Sequence, residues 1–473
     1  MVREVGFVFY NQMNQWAAVV LAAGQGVRMN SRLPNVLHSV CGKEMLRYVV
    51  DASRLILDGP VVVVVSPDAS QIRDSLSDTV EYVEQAEPKG TGRALLEAEA
   101  LLDGRASHLL VLYGDTPLVT SATLARLVER HQTANMAVTF VTSDGVSTEG
   151  LGRVERDEEG RVVGVVEEAQ ASEEKRSIAE VNGGFYAFET TWLWAALREI
   201  TPASNGEYYL TDLVGMAVRA GMAVGTVAPD EPIEILGVDN QVRLAQAEGA
   251  MRRRILDAWM LTGVTVMDPA TTYVDATVSV GPDTTIYPNT TLAGQTRIGS
   301  RCHLGPGAMV YDSVIQDDCK VVASMLEGAH LEASVAVGPY SHLRHGTYVE
   351  RDVHIGNYVE VKNSRIGQGT QMSHFSYIGD AEVGQGVNIG AGAITCNFDG
   401  TQKHRTIVED GAFIGSDTML VAPVRIGARA RTGAGSVVNR DVPPDTVVVG
   451  VPARVLRRRD ESTRTSDDPK SSS

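Results

Sequence analysis

The stretch LAAGQGVRMNSRLPNVLH, Leu21 to His38, sets two glycines and an arginine behind an apolar run, the makings of a phosphate-holding loop. A P-loop needs Gly-Lys-Ser/Thr at its end, and here Gly26 is followed by Val27 and Arg28. That excludes a Walker-type nucleotidase. A dinucleotide fingerprint needs a third glycine where this chain has Met29, so that pattern fits poorly. What remains is a strand, Trp16 to Leu21, running into the N–H groups of Gly24 and Gly26, with Arg28 close behind. Such a turn suits a nucleotide's phosphates. A second apolar run, His108 to Tyr113, ends in Gly114 and Asp115, which sets a carboxylate at a strand's carboxyl end.

The elements that must position these residues change character along the chain. From Trp16 to about Val238, short apolar runs alternate with helical stretches, and Val61 to Val65 is an unbroken β-branched run expected of a parallel strand covered on both faces. This is α/β organisation, with ligands at the carboxyl ends of strands. A charged helix, roughly Asn240 to Leu261 and stopped by Gly263, reads as a connector. Beyond it, aliphatic residues recur every six positions: Val280, Ile286, Leu292, Ile298, Leu304 and Val310. The register resumes at Val337, Leu343, Val349, Ile355 and Val361, and again at Ile414, Leu420, Ile426, Thr432 and Val438. Period six matches neither helix nor plain strand, so each hexapeptide is a flat face plus a corner, and three faces close one coil of a triangular prism. Glycine after the aliphatic residue, as in Ile298-Gly299, Ile355-Gly356, Ile389-Gly390 and Ile426-Gly427, is expected to permit the turn. The longest interruption, CNFDGTQKHRTI from Cys396 to Ile407, carries Asn397, Lys403, His404 and Arg405. The expected domains are therefore a non-core extension over 1–15, an α/β domain over 16–238, a linker helix over 239–263, the prism over 264–457 and a disordered tail over 458–473.

Bulk properties bound the function. A chain of 473 residues exceeds the usual limit of a single core. A formal charge of −17 argues against a nucleic-acid partner, while leaving room for small anions held by local cations. The four cysteines, Cys41, Cys302, Cys319 and Cys396, form no C-x-x-C pair, so neither a zinc ribbon nor a disulfide framework is expected, and a reducing cytoplasm is the default. No apolar run approaches membrane-spanning length, and no membrane partner is expected. Met13 is a second possible start, a few residues before the first strand.

Taken together, the two halves resemble the bacterial bifunctional N-acetylglucosamine-1-phosphate uridyltransferase and glucosamine-1-phosphate acetyltransferase family. The resemblance rests on LAAGxGxRM at Leu21 to Met29, QAExxGTGxA at Gln85 to Ala94, YGDTPL at Tyr113 to Leu118, GLGR at Gly150 to Arg153 and GEYYLTD at Gly206 to Asp212. It continues through LRHG at Leu343 to Gly346, VEVKNS at Val359 to Ser364, SHFSYIGD at Ser373 to Asp380 and NIGAGAITCNFDG at Asn388 to Gly400. The resemblance implies a Rossmann-like nucleotidyltransferase domain plus a left-handed parallel β-helix of hexapeptide repeats, assembled as a homotrimer. The first half would join UTP to N-acetylglucosamine 1-phosphate with Mg²⁺, and the second would acetylate glucosamine 1-phosphate from acetyl-CoA.

Residue by residue, the resemblance makes Arg28 catalytic, and Asp115 and Asp239 ligands of Mg²⁺. It assigns UTP and UDP-N-acetylglucosamine contacts to Ala22, Gly24, Gln85, Gly90, Thr91, Gly152, Glu167 and Asn182. His374 would be the base for acetyl transfer, oriented by Glu360, as imidazole chemistry allows. Arg344, Lys362, Tyr377, Asn388 and Lys403 would hold glucosamine 1-phosphate, and Asn397, Phe398, Ser416, Ala434 and Arg454 acetyl-CoA. Departures concentrate in the first half. Asn35 stands where the family has a phosphate-contacting lysine, Val27 where it has threonine, and Asp239 where it has asparagine. Lys43 is near Asn35 in sequence. Asp239 also stands where an N-cap for the connecting helix belongs. Three readings compete: an intact bifunctional enzyme, an acetyltransferase with an impaired uridyltransferase half, and a non-catalytic scaffold.

Overall fold

The computed structural model describes residues 16–24 and 26–458, so the expected extension over 1–15, the alternative start Met13 and the tail from 459 onward lie outside the described residues. Arg458, expected in the tail, instead ends the strand Arg454–Arg458. The chain divides into two compact units between Met251 and Arg252. That division falls inside the helix Gln241–Leu261, the segment expected as a linker.

The first unit is built on one sheet. Its strands are β1 (Trp16–Leu21), β2 (Val61–Val65), β3 (Glu81–Glu84), β4 (His108–Tyr113), β5 (Val138–Ser143), β6 (Arg153–Arg156), β7 (Val162–Val166), β8 (Val181–Glu189) and β9 (Val224–Val227). The order across the sheet is β9-β5-β8-β4-β1-β2-β3, with the hairpin β6-β7 joined to β8. Strands β4, β1, β2 and β3 are parallel, whereas β8 runs antiparallel to both β4 and β5. The central strands read as continuous apolar runs because both faces are covered: Val62, Val63, Val64 and Val65 are all buried. One apolar cluster, with Leu46, Val49 and Leu124, covers one face, and a second, with Leu95, Leu193 and Leu213, covers the other. The carboxyl ends of β1 and β4 therefore open on the same edge, where Leu21 pairs with Tyr113.

The second unit is a three-sided prism. Up to the five-residue final strand Arg454–Arg458, strands two to four residues long pair in parallel with the third strand onward, so Thr285–Ile286 lies against His303–Leu304 and Thr291–Ala293 against Met309–Tyr311. Three such ladders make the three sides. The six-residue register holds at every position the sequence suggested; Ile286, Leu292, Leu304, Val310, Leu343 and Ile414 are buried inside. Thr432 takes an interior position because its Oγ1 accepts from Gly415 N at 2.9 Å and meets the hydroxyl of Thr418. Between the first and second runs the inward residues are Ile315, Val321, Leu326 and Leu331, several only five apart, because a corner can be shortened by one residue without turning the side chain outward.

The glycines after the aliphatic residues act differently from expectation. Gly356 and Gly427 do not occupy the left-handed region; the residues two further on do, Tyr358 at φ 59° and Arg429 at φ 58°. Glycine is required instead by close approach of the next coil. A Cβ on Gly356 would lie 1.9 Å from Ser373 O, and one on Gly427 would lie 2.4 Å from Pro444 N.

Candidate active sites

In the first unit the loop after β1 is tied down at its root, where Ala22 N donates to Val64 O at 2.8 Å. Gly26 adopts the left-handed conformation at φ 57°, with its α-carbon pressed against Asn35 so closely that a Cβ would lie 2.7 Å from Asn35 Cβ. A short turn, Val27–Met29, follows, burying Met29 and leaving Arg28 in solvent. Asp115 follows β4, and its carbonyl accepts from Val238 N at 2.8 Å, which brings the segment carrying Asp239 to the same edge.

Here the two sequence candidates for a cation meet. Asp115 is pushed up to about 6, first by burial, with the neighbouring Asp239 carboxylate adding to the shift and Arg28 and Arg243 opposing it. Asp239 Oδ2 accepts from Arg28 Nη1 at 2.8 Å and from Arg243 Nη1 at 3.4 Å. The N-cap of the helix is Asn240, whose Oδ1 accepts from Arg243 N at 3.0 Å, so Asp239 is not needed for that purpose. Asn35 is buried in this cluster: its Nδ2 donates to Val238 O at 2.8 Å and to Asp115 Oδ2 at 3.3 Å, and its Oδ1 is buried with no partner. Lys43 does not supply the absent ammonium group, because it pairs with Asp51 and lies over the Tyr48 ring. Among the described residues no set of three or more His, Cys, Asp or Glu side chains forms a closed metal cage. Two carboxylates with an orphaned amide oxygen are nevertheless a hard-oxygen set, and magnesium commonly takes one or two carboxylates and keeps positions for waters and substrate phosphates.

The other nucleotide candidates fall into two groups. Gln85 is buried with its Nε2 donating to Gly90 O at 3.2 Å, and Thr91 Oγ1 accepts from Leu210 N at 3.0 Å. Gly90 sits at φ 97° with Tyr208 where a side chain would go. Gly152, Glu167 and Asn182 form the second group: Asn182 N donates to Gly152 O at 2.9 Å, and a Cβ on Gly152 would lie 3.7 Å from the Glu167 carboxyl. Glu167 is raised by burial, although Thr211 Oγ1 donates to it at 2.6 Å. A register shift in β8 between Asn182 and Tyr186 accommodates the Asn-Gly-Gly sequence, with Gly184 at φ 78° beneath the Tyr113 ring. Gly24 has open space around it.

In the second unit the period-two alternation of one side decides which groups face out. Val359 and Val361 point inward, leaving Glu360 and Lys362 outward, and Ser376 and Ile378 do the same for Tyr377. Glu360 and Tyr377 are register partners on neighbouring coils. Arg344 Nη1 donates to Glu360 Oε1 at 2.8 Å. Lys403, from the interrupting loop, lies beside Lys362 with Arg344 nearby, and this like charge pulls the Lys362 ammonium below its ordinary range. Three cations thus converge on one face. The loop returns as a narrow hairpin, with Phe398 bridged to Lys403, and Asp380 accepts from both Asn363 and Asn397. His404 donates its ring to Asp399 rather than to the cation cluster.

His374 is exposed at the corner between Gln371–Met372 and Ser376–Gly379. The expected orienting contact from Glu360 is absent: no hydrogen bond joins the two, and the Glu360 carboxylate is engaged by Arg344 because both lie on the flat side while His374 occupies the corner. Ser416 and Ala434 lie at the same corner on later coils, between Phe413–Ile414 and Met419–Val421 and between Arg431–Thr432 and Val437–Val438. The backbone is bare there, since a Cβ on Gly390 would lie 2.5 Å from Ser416 N and one on Gly415 2.9 Å from Ala434 N. Asn388 is half-buried on the preceding strand, Phe398 is exposed, and Arg454 lies exposed on Arg454–Arg458, the only strand of that side added antiparallel among the described residues.

A family model for a MobA-like NTP transferase domain matches residues 18–208, and one for bacterial transferase hexapeptide repeats matches residues 277–312. A protein of Pelotomaculum thermopropionicum named bifunctional protein GlmU is 47% identical over 86% of this chain and 90% of its own. Proteins of the same name from Trichlorobacter lovleyi and Brevibacillus brevis are 44% and 42% identical, covering 94% and 92% of this chain and 99% and 95% of their own. The chain belongs to the GlmU family. The prism is accordingly the left-handed β-helix of hexapeptide repeats, and the first unit the Rossmann-like nucleotidyltransferase fold. Within this GlmU-family chain the sequence reading missed Arg243, Asn240, Asp380 and Thr211, each of which contacts a candidate residue, Asn240 by donating its Nδ2 to Asp239 Oδ1 at 2.8 Å. Only Arg243 had a legible signal, its i,i+4 spacing from Asp239.

Proposed function

We propose that this chain makes UDP-N-acetylglucosamine in two steps at two separate sites. In the second unit, the amine of glucosamine 1-phosphate attacks the thioester carbonyl of acetyl-CoA, the C–S bond breaks and CoA leaves. His374 takes the amine proton, while Arg344, Lys362 and Lys403 hold the phosphate dianion. Tyr377, Asn388 and Asn397 border that cation face, and the bare corner running past Ser416 and Ala434 toward Arg454 accommodates the extended arm of acetyl-CoA. In the first unit, a phosphate oxygen of N-acetylglucosamine 1-phosphate attacks the α-phosphorus of UTP, and pyrophosphate leaves. Asp115 and Asp239 would hold Mg²⁺, which supplies charge neutralisation to the triphosphate when bound. Arg28, exposed at the mouth of the loop, reaches the same charge; Gln85, Gly90 and Thr91 receive uracil, and Gly152, Glu167 and Asn182 the sugar.

The observation that carries the reading is the presence of both clusters in a chain that matches GlmU relatives over about nine-tenths of its length. A scaffold has no use for both a converging cation trio and an exposed imidazole, and nothing in the comparisons favours an impaired first half over an intact one. We further assign the working form as a homotrimer in a reducing cytoplasm. Cys302, Cys319 and Cys396 form no disulfide, and no helix among the described residues is long and apolar enough to cross a membrane.

The test is direct. Purified protein with UTP, N-acetylglucosamine 1-phosphate and Mg²⁺ should release pyrophosphate, and with acetyl-CoA and glucosamine 1-phosphate it should release CoA. Pyrophosphate release only from an Asn35→Lys variant, with acetylation intact in both proteins, would overturn the bifunctional reading in favour of an impaired first unit.

A further inference from the structure

We propose that Asn35 supplies a third oxygen to the divalent cation of the first unit, through Oδ1, and that with Asp115 and Asp239 it lets the site take up that cation before any nucleotide arrives. The inference rests on the uridylyl-transfer reading and adds to it a residue and an order of binding.

The geometry points to the oxygen. Asn35 is 7% exposed, and its Nδ2 faces two acceptors, Val238 O at 2.8 Å and Asp115 Oδ2 at 3.3 Å. Turning the amide over would set its oxygen against those two oxygens, so the orientation is fixed by its neighbours. Oδ1 is then a buried acceptor with no donor in a site that already holds two carboxylates. A buried polar atom without a partner is uncommon and wants an occupant. A carbonyl-type oxygen on a side chain that touches one of two carboxylates suits a hard cation.

Charge points the same way. The resembled pattern has lysine where this chain has Asn35 and asparagine where it has Asp239. One change removes a positive charge and the other adds a negative one, so both make the cluster more negative, by the amount a divalent cation restores. The present counter-charge on Asp239 is Arg28, whose side chain is 73% exposed and so is readily exchanged. Cation uptake would release Arg28 from Asp239 and leave it for the triphosphate.

Mn²⁺ binding to the full-length protein without nucleotide, followed by electron paramagnetic resonance of the free ion at fixed ionic strength, tests this. One ion should bind to the unaltered chain. Asp115→Asn should remove it, Asn35→Ala should weaken it by about tenfold or more and Asn35→Lys should abolish it. Asn35→Asp should retain it, which separates loss of the oxygen from loss of the fold, and Arg28→Ala should tighten it. Equal affinity in the unaltered, Asn35→Ala and Asn35→Lys proteins would overturn the role of Asn35. Binding only when UTP is added, still abolished by Asp115→Asn, would overturn the order of binding yet leave the uridylyl-transfer reading standing. No Mn²⁺ binding even with UTP would overturn both.

Discussion

Arg344 and Glu360 are joined across adjacent coils of the prism by a hydrogen-bonded ion pair of 2.8 Å, on the face where Lys362 and Lys403 also stand. The pair makes Glu360 a holder of Arg344, the arginine proposed to bind the phosphate. Glu360→Gln keeps an oxygen to accept from Arg344 and removes one negative charge from the cation face. The expected result is a KM for glucosamine 1-phosphate lowered by about twofold to tenfold, with kcat nearly unchanged and the pH profile of acetyl transfer unmoved. A kcat loss above tenfold with a displaced profile would return to Glu360 the orienting role that the sequence suggested.

His374 stands exposed at a corner, so its removal leaves no cavity. His374→Ala should lower kcat for acetyl transfer by about 10²–10⁴, the usual worth of a general base, with pyrophosphate release and thermal melting unchanged. Steady-state CoA release against pH checks it: the limb assigned to the base should vanish in the variant. Normal acetyl transfer would place the base elsewhere.

The sequence disclosed what repeats and withheld what meets at a distance. The six-residue register of Ile286 through Val310 was legible because each coil imposes the same demand on the same position. The five-residue steps around Ile315 and Leu326 were not, since a corner shortened by one residue leaves no periodic trace. The placing of Lys403 beside Lys362 and of His374 at an exposed corner falls within motifs that the sequence displays. The contact of Asn35 with Asp115 spans 80 residues, and no local pattern encodes it. The pairing of Glu360 with Arg344 rather than His374 depends on which side of a corner each side chain leaves, and motif order does not record that.

The first unit carries its own acid sensitivity. His131 is buried against Trp16 and His108, with its Nδ1 on Thr139 Oγ1 at 3.1 Å, and burial lowers it from 6.5 to about 3, with His108 adding to the shift. His108 is itself lowered by burial. Above pH 6.5 both folded and unfolded chains hold His131 neutral, and it has no effect on stability. Below 6.5 the unfolded chain takes up a proton that the folded chain refuses until about pH 3, so stability falls by about 1.4 kcal/mol per pH unit for a fully unprotonated site. Urea denaturation of the unaltered protein should show that decline between pH 6 and pH 4. His131→Phe should flatten the slope by about one proton, and an unchanged slope would remove His131 from the account.

Two glycines separate close approach from conformational freedom. Gly356 does not need a left-handed backbone, yet a Cβ there would lie 1.9 Å from the carbonyl oxygen of Ser373, the residue before His374. Backbone cannot rotate away as a side chain does, so the next coil must shift. Gly356→Ala should destabilise the second unit by about 1–3 kcal/mol, the range for inserting volume into a packed site, and should depress acetyl transfer by displacing His374 while uridylyl transfer persists. Gly249 is the counterexample, a helical glycine with no heavy atom within 4 Å of the Cβ position and no positive φ. Gly249→Ala should raise stability by about 0.5–1 kcal/mol through helix propensity alone. Calorimetry of both variants beside the two activity assays decides the matter. If Gly356→Ala melts and acetylates like the unaltered chain, the coil spacing at this corner has slack, and the glycine after each aliphatic residue needs another cause.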